Sequence, residues 1–131
     1  MPLFVKDVMN DSVVTIGPEV SVNKAIERLL DSNVSSLLVV DQNRRMIGYV
    51  DEAALLAATV DGQVRNDPVA LHMDRNFVHV RPSDPLESAI DISILHRIRQ
   101  LPVLENGRLV GLISRRDVLR AVFGQREALV Y

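Results

Sequence analysis

Shifted by 64 places, the chain lines up with itself, and this internal repeat limits the available folds more than any other feature. Val5 falls on Val69, Met9 on Met73, Val14 on Val78 and Pro18 on Pro82. Ala25 and Ile26 fall on Ala89 and Ile90, and Leu37 and Val39 on Leu101 and Val103. One residue is then dropped in a loop and the shift becomes 63. Gly48 now meets Gly111, Leu56 meets Leu119 and Ala58 meets Ala121. Matches in one order over nearly the whole chain describe two copies of one unit, expected at residues 1–62 and 63–131 with a crossover over 60–70. The length, 131 residues, suffices for one ordinary core or for two small units sharing one.

Each copy reads alike. A β-type run comes first, SVVTI in copy one and NFVHV in copy two. A helix follows, with apolar positions Val22, Ala25, Ile26, Leu29 and Leu30 in copy one and Leu86, Ala89, Ile90 and Ile94 in copy two. Ser93 is the weak spot in the second pattern. Pro18, Pro82 and Pro85 suit the approach to these helices. A hairpin comes next, SLLVVDQNRRMIGYV and then LPVLENGRLVGLI, the latter with Asn106-Gly107 as a strong two-residue turn. A last helix closes each copy, from Glu52 to Val60 and from Arg115 to Phe123. The unit is therefore β-α-β-β-α, an α/β fold. Its strands after the helix are too apolar to leave uncovered, and two copies can cover each other around a pseudo-twofold axis.

Composition excludes several functions. No apolar run approaches the length of a membrane span. The start, MPLFVKDVMND, has no basic region before an apolar core, so no secretion signal is expected. There is no cysteine, which excludes thiol chemistry and fits a cytoplasmic protein. A net charge of −2 and 4% aromatic residues without tryptophan argue against a nucleic-acid surface. Residues 66–131 carry nine basic side chains, all arginine, the side chain that grips carboxylate or phosphate with a fixed fork. His72, His79 and His96 lack metal-ligand spacing, and neither a Ser-His-Asp set nor a phosphate-cradling glycine loop is evident.

The start VKDVM, the run VVTIGPEVSVNKAIERLLDSNVSSLLVVD and the endings MIGYVDEAALL and LVGLISRRDVL resemble cystathionine-β-synthase (CBS) domains, which occur in tandem pairs. The resemblance covers about residues 3–124. It implies a regulatory module rather than an enzyme. Many members bind AMP, ADP, ATP or S-adenosylmethionine in clefts between the two copies, and many form dimers of pairs.

The family's nucleotide motif is Gly, two apolar residues, Ser or Thr, two variable residues, then Asp or Asn. Copy two matches it from Gly111 to Asp117. Ser114 would stand at the N-terminus of the last helix, where unpaired N–H groups and the helix dipole favour an anion. Asp117 lies one turn on, and its carboxylate suits the two hydroxyls of a ribose. Arg115 and Arg116 add positive charge. Capping alone, as a variant of the Ser-x-x-Glu box, also explains Ser114 and Asp117, and the two roles are compatible. Copy one fails the test: Asp51 can still cap a helix, but Asp51 and Glu52 bring negative charge and Ala54 replaces the carboxylate, so this site is expected to be empty, weakened or adapted to a different ligand.

By the resemblance, the intact site would use Ser114, Arg116 and Asp117, with Arg99 and Gln100 from the loop before the hairpin. Copy one would contribute Val14 and Val34, sandwiching the base, and Ser35, whose backbone would read its edge. Val14 and Val34 read equally well as ordinary core. The expected ligand is an adenine nucleotide acting as regulator, with no obligatory cofactor. The chain is expected to form a homodimer and to act on an unidentified effector protein. The alternative is a dimerisation scaffold with no physiological small-molecule ligand.

Overall fold

The duplication is carried into the structure as two sets of elements in the same order. This is a computed structural model, and it describes residues 3–60 and 62–130, with the side chains of Gln63 and of residues 125–130 left aside. The first set is β1 (Thr15–Ile16), α1 (Val22–Ser32), β2 (Ser36–Val40), β3 (Met46–Asp51) and α2 (Glu52–Val60). The second is α3 (Leu86–His96), β4 (Gln100–Glu105), β5 (Arg108–Ser114) and α4 (Arg115–Val130). The last helix therefore runs past Phe123, its expected end.

Two compact units result, and they are out of phase with the repeats. Residues 14–77 form the first unit, and the segment up to Val13 joins residues from Val78 onward in the second. The leading segment of each repeat thus packs on elements of the other. In the second unit Val5 N–H donates to Asp84 O (2.9 Å) and Leu86 N–H to Leu3 O (2.9 Å), with Val5 wholly buried. In the first unit the equivalent Val69, also wholly buried, donates to Val20 O (2.6 Å), and Val22 N–H donates to Asp67 O (2.9 Å).

In the first unit β1 pairs parallel with β2, and β2 antiparallel with β3. In the second, β4 and β5 form an antiparallel pair, and the expected strand NFVHV is reduced to one bridge, Val80 to Val103. The cause is Pro102. Val80 N–H donates to Pro102 O (3.1 Å) and Leu104 N–H to Val80 O (2.8 Å). The next rung would need an N–H from residue 102, which proline lacks. Leu38 stands at that position in copy one, and there Thr15 and Leu38 do pair.

The helices bury the same positions. Val22, Ala25 and Leu29 are the buried side of α1, and Leu86, Ala89 and Ser93 that of α3. Each packs on its unit's core, with Leu37, Val39 and Val50 in the first and Leu101, Val103 and Ile113 in the second. Leu30 and Ile94 were expected on the buried faces. They are about 70% exposed, 70% and 71% respectively, because they lie one residue round the helix from the buried pair at 29 and 93. Asn106 and Gly107 both have positive φ (54° and 80°), as a two-residue hairpin turn requires. No described helix is long and apolar enough to cross a membrane.

Candidate ligand site

The site residues of the second unit gather at one end of its hairpin. Antiparallel pairing sets Gln100 opposite Ser114. β5 ends at Ser114 and α4 starts at once, so Ser114 is both the last strand residue and the helix cap. Asp117 N–H donates to Ser114 Oγ (3.0 Å), and Ser114 N–H donates to Asp117 Oδ2 at a long 3.4 Å. This is a reciprocal cap. The first helical N–H, that of Arg115, donates to Arg99 O (2.9 Å) and ties the preceding loop to the helix start. Arg99, Gln100, Ser114 and Asp117 are thus linked by backbone pairing or hydrogen bonds, and Arg116 occupies the second position of α4 with its side chain exposed.

Chemical capacity remains after the cap is made. The Ser114 hydroxyl accepts from Asp117 N–H and still has its own proton to donate. The Asp117 carboxylate is 30% exposed, and its other oxygen lies 3.5 Å from Arg120 Nη1. Both contacts to that carboxylate are long, so it remains a competent acceptor for a diol. Arg97 precedes this group at the C-cap of α3 with φ 54° and ψ 43°. The equivalent position in copy one is Asn33, at φ 53° and ψ 45°. Asparagine tolerates this left-handed conformation, whereas it costs an arginine about 1 kcal/mol.

The residues expected from copy one gather by themselves in the first unit. Val14 immediately precedes β1, and Val34 and Ser35 precede β2. Parallel pairing of those strands, Thr15 with Leu38, brings their leading ends to the same side of the sheet. Val14 and Val34 are half-buried and pack on the first core. Ser35 is exposed, and its carbonyl accepts from Glu52 N–H (3.1 Å), the counterpart of the Arg99–Arg115 bond.

The counterpart of the Ser114 cap is different in kind. Asp51 Oδ1 accepts from Ala54 N–H (2.9 Å), and Ala54 returns nothing. The neighbouring Tyr49 hydroxyl donates to Asp74 Oδ2 (3.2 Å). Burial, then the charge of Asp74, its hydrogen bond and the charge of Asp51 push the Tyr49 hydroxyl above its ordinary pKa. That corner is acidic.

The motif's glycines serve packing. A Cβ on Gly48 would lie 2.8 Å from Asp74 O and from Met73 Sδ, and one on Gly111 would lie 2.8 Å from Met9 Sδ and 3.1 Å from Asn10 O. This explains why both copies carry the glycine while only one carries the Ser/Asp pair. The histidines sit apart. His72 Nε2 is 3.0 Å from Asp67 Oδ2, and His96 is exposed in the last turn of α3. His79 lines a cleft of about 410 Å³ with Arg81, Asp84 and the Asn106-Gly107 turn, at the opposite end of the hairpin from Ser114. Among the described residues no three His, Cys, Asp or Glu side chains converge on a metal position.

Sequence reasoning missed one residue at this end of the unit. Ser93 is the one buried polar side chain among the described residues. Its hydroxyl donates to Ile98 O (2.7 Å), beside Arg99. The only signal was its interruption of an apolar helical face.

Comparison with known proteins agrees with the architecture. The CBS domain model matches twice, over residues 5–61 and 67–124. The CBS domain-containing protein YhcV of Bacillus subtilis is 30% identical over 114 residues, which are 87% of this chain and 81% of that protein. CBSX2 from Arabidopsis thaliana has a crystal structure that superposes with a TM-score of 0.86 at 28% identity, covering 97% of this chain and 99% of that one. A structure of CBSX2 in complex with AMP superposes at 0.83 with 29% identity, covering 94% and 98%. The chain spans much less of several longer relatives, such as 15% of an A-adding tRNA nucleotidyltransferase of Aquifex aeolicus. With both repeats matched and the fold shared over the length of such neighbours, the chain belongs to the CBS domain family, as a tandem pair.

Proposed function

We propose that this chain is a non-catalytic regulatory module that binds an adenine nucleotide. Asp117 holds the ribose, and Ser114, Arg116, Arg99 and Gln100 face the phosphates. Val14 and Val34 flank the base, and the backbone at Ser35 reads its edge. The observation that carries the reading is the Ser114–Asp117 pair, with its long-bonded, part-exposed carboxylate in a corner that also has Arg99 and Arg116. The AMP complex of a relative 29% identical supports the ligand class. The same corner in copy one, with Asp51, Glu52 and Ala54, repels phosphate and offers no diol acceptor, so one nucleotide binds per chain. Binding signals by favouring one of two arrangements of the protein for which the ligand has different affinity. The module works in the cytoplasm, on an effector protein.

A thermal-shift titration with AMP, ADP, ATP, NAD and S-adenosylmethionine tests this. Ligand at a hundred times its Kd stabilises the folded protein by about 2.7 kcal/mol through mass action. The expected result is a rise in Tm with a phosphorylated adenosine ligand. A flat response to all five would favour the second reading, a scaffold. One observation speaks for that reading: helix capping by itself accounts for Ser114 and Asp117.

A homodimer is part of the proposal under either reading. Equivalent helix positions are apolar and exposed in both copies: Leu30 and Ile94, Leu56 and Leu119, Val60 and Phe123. These are large apolar side chains of the kind a second copy would cover. A second copy brings the same faces, as an isologous contact requires. Replacing Leu119 and Phe123 together by glutamate is expected to convert the dimer to monomer in light scattering. A parent protein already monomeric at micromolar concentration would remove the dimer from the proposal.

A further inference from the structure

The loop that carries Arg97 and Arg99 is fastened on both sides. On the α3 side, Ile98 N–H donates to Ser93 O (3.0 Å) and the Ser93 hydroxyl donates back to Ile98 O (2.7 Å). On the α4 side, Arg115 N–H donates to Arg99 O (2.9 Å). Ser93 is 9% exposed, and it stands where copy one has the buried Leu29. In copy one the corresponding backbone bond, Val34 N–H to Leu29 O, is longer at 3.4 Å, and leucine has no donor to add. The buried hydroxyl therefore occurs in the copy whose loop bears arginines. That loop also holds Arg97 in a left-handed conformation where copy one has asparagine.

We propose that Ser93 is a positioning residue, which holds the Arg97–Arg99 loop so that its guanidinium groups are presented to the ligand's phosphate. The role rests on the nucleotide reading of the Ser114–Asp117 corner. Apolar packing alone would be served better by a leucine at position 93, as in α1. The hydroxyl gives up that packing and fixes the carbonyl next to Arg99. Because it acts through the loop and touches no ligand atom, its effect is confined to the phosphate-dependent part of binding.

The test compares Ser93→Ala with the parent protein, using AMP and adenosine as probes and amide exchange at Ile98 and Arg99 as a direct readout of the loop. The expected result is an AMP Kd raised about fivefold, an adenosine Kd changed by less than about twofold, and faster exchange at the two amides. Ser93→Thr, which keeps the donor, is expected to recover most of the AMP affinity. Equal losses for AMP and adenosine would mark Ser93 as structural and overturn the proposal, as would unchanged AMP affinity. A parent protein that binds adenosine as tightly as AMP would overturn it too, by leaving no phosphate contribution to position. A parent that binds neither probe would instead overturn the nucleotide reading itself, and the ligand role of Ser93 with it.

Discussion

Replacing Asp117 by alanine is expected to weaken AMP binding by at least about tenfold while the protein remains folded. In the proposed site the carboxylate would offer two acceptor oxygens to a ribose diol, and a hydrogen bond to a charged group is worth about 1.5–3 kcal/mol. Losing it therefore costs between about tenfold and a hundredfold in affinity. The cost to the fold is smaller. The bond from Asp117 N–H to Ser114 Oγ uses the backbone of residue 117 and survives the substitution. What is lost is the long bond from Ser114 N–H to Asp117 Oδ2 and the 3.5 Å pair with Arg120, whose side chain is 69% exposed and solvent-screened. A stability loss near 0.5–1 kcal/mol, the low end for a helix cap, is expected. Arg120→Ala removes the ion pair without the carboxylate and serves as the control, with little change in Tm. Calorimetric titration separates the cases. Tight AMP binding by Asp117→Ala would take Asp117 out of the site and leave it a helix cap.

The fold was legible because duplication samples each element twice. The positions at 22, 25 and 29 and those at 86, 89 and 93 are buried alike, so a face doubtful in one copy is supported by the other. Ser93 nevertheless read as a break in the pattern. Periodicity ranks side chains by hydropathy, and the partner that makes a hydroxyl acceptable in a core, Ile98 O, lies beyond the helix end where no helical spacing points. The phase of the compact units was equally hidden. Val5 and Val69 see the same kind of environment, so the repeat cannot say which copy each leading segment packs on. Pro102 could have been used, since a proline two residues into a strand removes a rung from its parallel neighbour.

For the site, the residues of copy two were legible as a group because the hairpin and helix start impose their proximity. The Asn106-Gly107 turn alone would set Gln100 opposite Ile113, and a bulge between Val103 and Leu104 shifts the register by one residue to Ser114, a detail the turn does not announce. Val14 and Val34 were legible only as apolar residues near strand starts. Their half-buried packing on the first core suits both a core role and a base-binding one, and sequence pattern carries no information that separates the two. The nucleotide contacts proposed for these residues rest on the family resemblance and are tested by Val34→Ala, which would lower adenosine and AMP affinity together.

Gly48→Ala is expected to give the largest loss of stability among the conservative substitutions considered, about 1–3 kcal/mol, the usual range for overpacking a filled core. The new Cβ would sit 2.8 Å from Asp74 O. That oxygen cannot retreat freely. It accepts from Tyr49 N–H (3.0 Å), Asp74 N–H donates to Tyr49 O (2.8 Å), and the Tyr49 hydroxyl holds the Asp74 carboxylate. The sign of the result is informative because intrinsic preference runs the other way. In a strand without a close neighbour, alanine in place of glycine stabilises by about 0.5–1 kcal/mol through reduced freedom of the unfolded chain. Gly111→Ala is expected to cost less, since its nearest neighbour is the flexible end of Met9 and the backbone oxygen stands off at 3.1 Å. Trimming the methionine distinguishes the two. Met9→Ala should relieve much of the Gly111→Ala penalty, whereas Met73→Ala should leave most of the Gly48→Ala penalty in place, because backbone remains in the way. Urea midpoints at unchanged m-value measure all four effects. A stabilised Gly48→Ala protein would mean that the segment at Asp74 yields easily. The glycine at the head of the motif would then need another explanation, and in copy one, where the Ser/Asp pair is missing, ligand contact is a poor candidate for it.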